Sequence, residues 1–285
     1  MKVSLGIVTV THNSGEILRS FLASAAEAAR HSSRIGSTRI AIADNASEDA
    51  DRAGEITGSF GADFLRLADN RGYGAGITSA IRAIPGHLDY VLVSNPDVVM
   101  HVESLDRLIE CAERRPDGGA FGPRIVDADG VTYPSARTLP SLRTGIGHAL
   151  LGRIWPANPW TRAYRLDLDS SHEREAGWVS GACLLVRKSA FDAIGGFDDN
   201  YFMYFEDVDL GERMGRAGWK NVYVPSAVVS HTGAHSTSQS SRFMERVHHQ
   251  SAYRYLSRKY SAWYLAPLRL ALRVALGVRA WWVTR

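Results

Sequence analysis

Hydrophobic and polar positions change period repeatedly over the first hundred residues. Val3–Thr11 is a run of buried-strand character, and about Ser14–Arg30 reads as helix. Arg39–Asp44 is a second strand with a helix from about Ser47. Phe64–Ala68 is a third, followed by a helix from about Gly74 to Ile84. Tyr90–Asn95 is a fourth, followed by a helix over about Glu103–Arg114. Strand and helix alternating at this spacing predict right-handed βαβ units and a parallel sheet.

The polar punctuation falls at one end of every strand. The four tips are Thr11-His12-Asn13, Asp44-Asn45, Asp69-Asn70-Arg71 and Asn95-Pro96-Asp97. In open α/β sheets the carboxyl ends of the strands line the ligand crevice. Asn and Asp are also common turn residues, but four such clusters on one rim point to a ligand site. After residue 117 the character changes. Gly118–Ser141 is rich in Gly and Pro, Trp155–Trp160 is a stiff loop, Gly177–Arg187 is another buried strand, and Val222–Val224 and Val228–His231 are short strands.

Gly195–Gly218 places six acidic residues among Phe197, Tyr201, Phe202, Met203, Tyr204 and Phe205. Aromatic rings favour burial and carboxylates resist it unless paired or employed, so this segment reads as the wall of a cleft. From Glu206 the pattern is helical, with Val208, Leu210 and Met214 inward. Glu206-Asp207 then sit in a first helical turn, where the helix dipole favours carboxylates. An ordinary acidic first turn is the alternative reading.

Composition narrows the class. A chain of 285 residues with 45% hydrophobic content can bury a full core. Two cysteines, Cys111 and Cys183, give no disulfide framework and suit a reducing compartment. The N-terminal segment lacks signal-peptide features, and no run approaches the roughly 18 apolar residues of a spanning helix. The net charge of +3 conceals an asymmetry: no acid follows Glu245, whereas eight bases do. They alternate with Trp263, Tyr264, Leu268, Leu270, Leu272, Leu276, Trp281 and Trp282. A basic, tryptophan-rich amphipathic segment predicts contact with a membrane surface; a helix packed on the domain is the alternative. Nucleic acid is not expected, since aliphatic bulk replaces stacking platforms.

Asn70–Gly76, NRGYGAG, is a glycine-rich turn opening a helix. Its amides could meet phosphate, or its glycines could serve close helix–sheet packing. Its spacing and position do not match a dinucleotide fingerprint. Asp97 at a strand tip and His231 at the end of a later strand make a partial divalent-metal site, to be completed by ligand phosphates. Gly233 and the lack of a Glu beside His231 argue against a helical zinc pair with His235. His248-His249 read as an exposed helix face.

Taken in order, Thr11-His12-Asn13, Asp44-Asn45, NRGYGAG, Asn95-Pro96-Asp97, WVSGAC at 178–183, the acidic-aromatic segment and His231 resemble the inverting, nucleotide-sugar-dependent glycosyltransferases of family 2. The NPD triplet and FMYFEDVDL are similar to its rhamnosyltransferase branch. YPSARTLPSL and WPANPWTRAYR resemble branch members that act on polyprenyl-diphosphate-linked N-acetylglucosamine in making a cell-wall arabinogalactan linker. The likeness spans about residues 3–265.

The resemblance implies an α/β GT-A fold: a Rossmann-like, mostly parallel central sheet flanked by helices, with a C-terminal amphipathic helical extension. The catalytic domain would be about residues 1–240, its nucleotide-binding half about 1–115 and its acceptor half about 116–240, with a tail over 241–285. Asp44 would accept from the N3–H of thymine. Thr11, His12, Asn13, Asn45, Asn70, Arg71, Gly72 and Asn95 would line the nucleotide-sugar pocket. Asp97 and His231 would hold Mg²⁺ or Mn²⁺. Asp207 would be the general base, with Glu206 orienting the site or binding acceptor. The usual D-x-D metal motif is here Asn95-x-Asp97, with one carboxylate. The expected donor is dTDP-L-rhamnose, the acceptor a polyprenyl-diphosphate-linked GlcNAc, and the location the cytoplasmic face of the plasma membrane, peripherally bound. Two alternatives stay open: another nucleotide sugar, and a catalytically silent nucleotide-binding protein.

Overall fold

The computed structural model describes residues 2–142, 171–231 and 241–283. The stiff loop expected at Trp155–Trp160, and His235, lie outside the described residues. The predicted alternation is present: β1 (Val3–Thr11), α1 (Ile17–His31), β2 (Ile35–Asp44), α2 (Ala50–Ser59), β3 (Asp63–Arg66), α3 (Tyr73–Ala83) and β4 (Tyr90–Ser94). Strands β1, β2, β3 and β4 are mutually parallel in the order β3-β2-β1-β4. In-register pairing sets Thr11 beside Asp44 and Thr9 beside Ser94. The polar tips therefore share one rim.

Alternate residues of each strand feed opposite layers. Leu5 and Ile7 of β1 and Leu92 of β4 pack with Leu18, Phe21 and Leu22 of α1, and with Leu105, Leu108 and Ile109 of α4 (Ser104–Arg114). Val8 and Val10 of β1, and Val91 and Val93 of β4, pack with Ile77 and Ile81 of α3 on the other face. A period of two in the strands against 3.6 in the helices forces this two-sided burial.

Beyond β4 the sheet becomes mixed. It continues through β5 (Val98–Met100), β6 (Gly118–Val126), β7 (Thr132–Tyr133), β9 (Arg174–Ala176), β11 (Cys183–Arg187) and β12 (Lys220–His231), giving ten strands in all. Its main order runs on as β4-β11-β6-β12-β5, with β11 antiparallel to both neighbours. Strands β8 (Ala136–Arg137) and β10 (Trp178–Val179) form a separate two-stranded sheet.

Three segments differ from the sequence expectation. Gly118–Val126, the start of the stretch noted as rich in Gly and Pro, is an interior strand. Its glycines are needed there, because a Cβ on Gly122 would lie 2.7 Å from Val179 Cβ and one on Gly119 would lie 2.8 Å from Trp219 Cβ. Gly177–Arg187 is two strands, broken at Ser180-Gly181-Ala182. Val222–Val224 and Val228–His231 are one strand with a register shift between Val224 and Val228, at Pro225. The remaining helices are α5 (Lys188–Ala193), α6 (Glu206–Arg216), α7 (Ser241–Lys259) and α8 (Ala266–Val283), with a 3₁₀ turn at Trp263–Leu265.

Only part of the C-terminal segment stands away from the body. Tyr255 of α7 is buried with Trp178, Tyr201 and Val208. Ser251 Oγ donates to the Met203 carbonyl at 2.9 Å, and Lys259 Nζ to the Pro140 carbonyl at 2.7 Å. Helix α8 packs mainly on α7. Leu270, Val274, Val278 and Trp281 follow one another along its outer side, each more than half exposed. No described helix is long and apolar enough to cross a membrane.

Candidate active site

The rim of β1, β2 and β4 brings the expected nucleotide residues together. Asn13 takes a left-handed conformation (φ 54°), which an asparagine tolerates. It ties two tips, its N–H donating to Ser47 Oγ at 2.9 Å and its Oδ1 accepting from the Glu48 N–H at 2.8 Å. His12 Nδ1 lies 2.9 Å from the Asn45 carbonyl, so Nδ1 carries the proton. His12 and Asn13 are exposed, whereas Thr11 is buried. Asp44 is fully buried, and both its oxygens accept from Ser47, from the backbone N–H at 3.0 Å and from the hydroxyl.

The glycine-rich turn works by close packing. Asn45 Nδ2 donates to the Gly72 carbonyl at 2.9 Å, and the Gly72 N–H donates to Asn70 Oδ1 at 3.0 Å. Tyr73 N–H donates to the Phe202 carbonyl at 2.9 Å. Two first-turn amides are thus already satisfied, and Gly72 through Gly76 are buried. Gly72 has φ 93°, and a Cβ there would lie 2.0 Å from Phe202 O. Of the two readings of NRGYGAG, the geometry favours helix–sheet packing over a phosphate cradle. Arg71 is exposed, 3.7 Å from Asp199.

Asp97 and His231 meet because β12 pairs with β5, setting His231 opposite Val98. His231 Nε2 is 3.0 Å from Asp97 Oδ1 and 3.3 Å from Asn95 Nδ2. Two adjacent ligands on an octahedral cation with bonds of about 2.1 Å stand about 3 Å apart, so the pair fits neighbouring positions on one hard divalent ion. Among the described residues no group of three or more His, Cys, Asp and Glu is gathered to hold a metal. Two protein donors leave most of the coordination sphere to phosphate oxygens and water.

Glu206 and Asp207 open α6 behind a strained turn. Tyr204 and Phe205 both have φ 66°, left-handed values that bulky residues rarely adopt. Asp207 Oδ2 accepts from the Gly181 N–H at 2.9 Å and Oδ1 from the Val208 N–H at 2.8 Å. Gly181 lies in the break within Gly177–Arg187. Tyr73 OH fixes it by donating to the Gly181 carbonyl at 2.7 Å. Burial raises the pKa of Asp207, while the Gly181 and Val208 amides, and Arg137 more weakly, pull the other way. Burial and then the charge of Asp207 push Glu206 up as well. Glu206 Oε2 is buried with no hydrogen-bond partner. A neutral Glu206 beside an ionised Asp207 is the state these environments favour.

Four contributors are not among the expected site residues, although Tyr73, Arg137 and Gly181 lie inside the NRGYGAG, YPSARTLPSL and WVSGAC stretches. Ser47 holds Asp44, Gly181 and Tyr73 hold Asp207, and Arg137 lies near Asp207 with its guanidinium 6.0 Å from the Trp178 ring centroid. One expectation is corrected: His248 is exposed, but His249 is buried and its Nδ1–H donates to the Glu245 carbonyl at 2.7 Å. The helical spacing placed both on one face, but the sequence carries no sign of the element that covers His249.

A parallel β3-β2-β1-β4 half, a mixed second half, and polar groups on the strand tips define the GT-A class of glycosyltransferase fold. A mannosyltransferase from Pyrobaculum calidifontis in complex with GDP-Man and Mn²⁺ has this fold, with a TM-score of 0.62 at 12% identity over 100% of this chain and 72% of that one. GalNAc-T7 with UDP, GalNAc and Mn²⁺ matches with a TM-score of 0.58 at 15% identity, over 81% of this chain and 43% of that one. Residues 3–249 match the model for "Glycosyltransferase like family 2", and the chain belongs to that family. It is 44% identical over 285 residues to the N-acetylglucosaminyl-diphospho-decaprenol L-rhamnosyltransferase of Mycobacterium tuberculosis, covering 97% of this chain and 91% of that protein. It is 32% identical over 178 residues to the rhamnosyltransferase WbbL of Escherichia coli, covering 61% of this chain and 64% of that protein. The protein is a glycosyltransferase.

Proposed function

We propose that the enzyme transfers L-rhamnose from dTDP-β-L-rhamnose to polyprenyl-diphospho-N-acetylglucosamine with inversion, forming an α-L-rhamnosyl linkage for the cell-wall linker. The observation that carries this reading is the 44% identity over nearly the whole chain with a relative whose name gives both sugar and acceptor. The geometry supports a single displacement. The acceptor oxygen bonds to the anomeric carbon as the bond from that carbon to the diphosphate oxygen breaks. The leaving oxygen keeps the electron pair, and the acceptor proton passes to Asp207.

Asp207 suits the base role, because burial raises its affinity for a proton while two amides keep it oriented as a carboxylate. Glu206, kept neutral, would bind acceptor. Asp44 with Ser47 would take the thymine N3–H, and Thr11–Asn13, Asn45, Asn70, Arg71 and Asn95 would flank the nucleotide, with Gly72 holding the wall in place. Asp97 and His231 would hold Mg²⁺ or Mn²⁺. That ion would neutralise charge on the departing diphosphate. The outer side of α8 would lie on the cytoplasmic face of the membrane where a lipid-linked acceptor emerges.

The test is incubation with a panel of dTDP- and UDP-sugars plus a polyprenyl-diphospho-GlcNAc analogue, scored by product mass. Rhamnosylation of that acceptor alone is expected. Transfer of another sugar in preference would replace the donor assignment. Asp207→Asn should leave donor binding nearly intact and cut turnover by about 10²–10⁴-fold. Normal turnover with weakened donor binding would move Asp207 out of the base role.

A further inference from the structure

A cavity of about 470 Å³ lies where α7 and α8 meet the left-handed turn ahead of α6. Its lining combines apolar and cationic character. Met244 and Leu276 supply hydrocarbon, while His248, His249 and Arg279 supply ring and guanidinium nitrogens. Arg279 sits in the last turns of α8, and among the described residues it has no ion-pair partner. One acid, Glu245, also lines the cavity, with its Oε2 3.8 Å from His249 Nδ1. A guanidinium and two imidazoles above a hydrocarbon floor suit a ligand with an anionic head and an apolar chain.

The cavity is physically joined to the proposed base. Tyr204 forms part of its wall. His248 packs edge-on against the Tyr204 ring at 5.3 Å and tilted against Phe205 at 5.6 Å. Two residues, Phe205 and Glu206, separate Tyr204 from Asp207, so their Cα atoms lie within about 11 Å of each other. That is the scale of a sugar ring carrying a phosphate.

We propose that this cavity is the subsite for the acceptor's diphosphate and the first units of its isoprenoid chain. This rests on the reading above that the acceptor is a lipid diphosphate. With the sugar hydroxyl at Asp207, the diphosphate meets Arg279 and His248, and the chain leaves over Leu276 and Met244 toward the exposed side of α8. Binding is linked to protons. Partial desolvation, then the neighbouring His249 and Arg279, lower the His248 pKa against the opposing pull of Glu245, while desolvation raises that of Tyr204 across the wall. A diphosphate outweighs the repulsion, so His248 takes up a proton on binding, and affinity rises as pH falls toward 6.

The experiment uses the full chain and Arg279→Gln, a change at an exposed position, with His248→Gln as the second variant. Two acceptors are compared, polyprenyl-diphospho-GlcNAc and an alkyl GlcNAc glycoside without phosphate. Arg279→Gln should raise KM for the first by about 10–100-fold, the range for losing a charge-assisted hydrogen bond. KM for the second and for the donor should be unchanged. Farnesyl diphosphate, titrated in excess chelator, should bind the wild type with proton uptake that His248→Gln removes. An equal rise in KM for both acceptors, or equal farnesyl diphosphate binding by wild type and Arg279→Gln, overturns the subsite. So does loss of binding to acceptor-free anionic vesicles with farnesyl diphosphate binding intact, which marks a headgroup site instead. If the wild type binds farnesyl diphosphate through Arg279 yet transfers to no diphosphate acceptor, the subsite stands and the acceptor assignment falls.

Discussion

Replacing Glu206 by Gln tests whether a neutral carboxyl is built into the base site. Glu206 is 7% exposed, its Oε2 has no protein partner, and the next residue, Asp207, is a second carboxyl. Burial and Asp207 raise its pKa in the folded state above the unfolded value. The native state therefore holds a proton that the unfolded chain has released at neutral pH. A group with a raised folded pKa contributes stability that is complete below its unfolded pKa and is lost as pH rises through the folded one. Between those two values the loss is about 1.4 kcal/mol per pH unit for one proton. Gln has nearly the same shape and cannot ionise, so Glu206→Gln should remove this slope. The assay is urea unfolding of both proteins from pH 5 to pH 9. The variant should gain on the wild type as pH rises, by more than 1 kcal/mol across the window. Parallel stability curves would refute the protonated-Glu206 argument. In activity, Glu206→Gln should be milder than Asp207→Asn, and the reverse order would exchange the two roles.

Chelator should abolish transfer, with Mg²⁺ or Mn²⁺ restoring it, and Asp97→Ala or His231→Ala should weaken donor binding far more with metal than without; full activity in excess chelator refutes the metal assignment. Gly72→Ala should destabilise the protein by about 1–3 kcal/mol from its φ alone, and by more from the clash with Phe202 O; unchanged denaturant midpoints would show that the turn relaxes. Truncation after Tyr260 removes α8 but leaves α7 whole, so the protein should stay folded and lose salt-sensitive binding to anionic vesicles, to which each base contributes about 1 kcal/mol. Unaltered vesicle binding would return α8 to a packing role.

The first four strands and helices were legible because each is a local pattern closed by its own turn residues. The sheet order they imply follows from the handedness of βαβ crossovers. Beyond residue 117 this logic weakens. Strand β6 holds Gly118, Gly119, Gly122 and Pro123, residues that read as turn formers; they are tolerated because Trp219 and Val179 crowd the backbone. The site divides the same way. Asp97, His231, Glu206 and Asp207 carry chemistry in their side chains and stand out in the sequence. Gly181 contributes only an amide and Ser47 a local hydroxyl, and neither role shows until the fold brings the group to its partner.

The acidic-aromatic segment is sorted by its long-range partners. Six carboxylates in one stretch could all have been solvated. Four are held by bases: Asp198 and Asp209 by Arg258, Asp209 also by Arg213, Asp199 by Arg71 and Glu212 by Arg216. Arg258 belongs to α7, so the start of the basic C-terminal segment neutralises this wall. It also braces the turn at Tyr204-Phe205 through His248 and Tyr255. Glu206 and Asp207 are the two acids of the segment without an ion pair among the described residues. An ordinary acidic first turn would leave its carboxylates in water, where no pKa needs to rise. Here one has a buried oxygen without a partner and the other is held by the Gly181 amide, between two strands. The strain at φ 66° in two consecutive aromatic residues persists because α7 packs over it. A change that loosens α7, such as Tyr255→Ala, should therefore lower turnover before it lowers donor affinity.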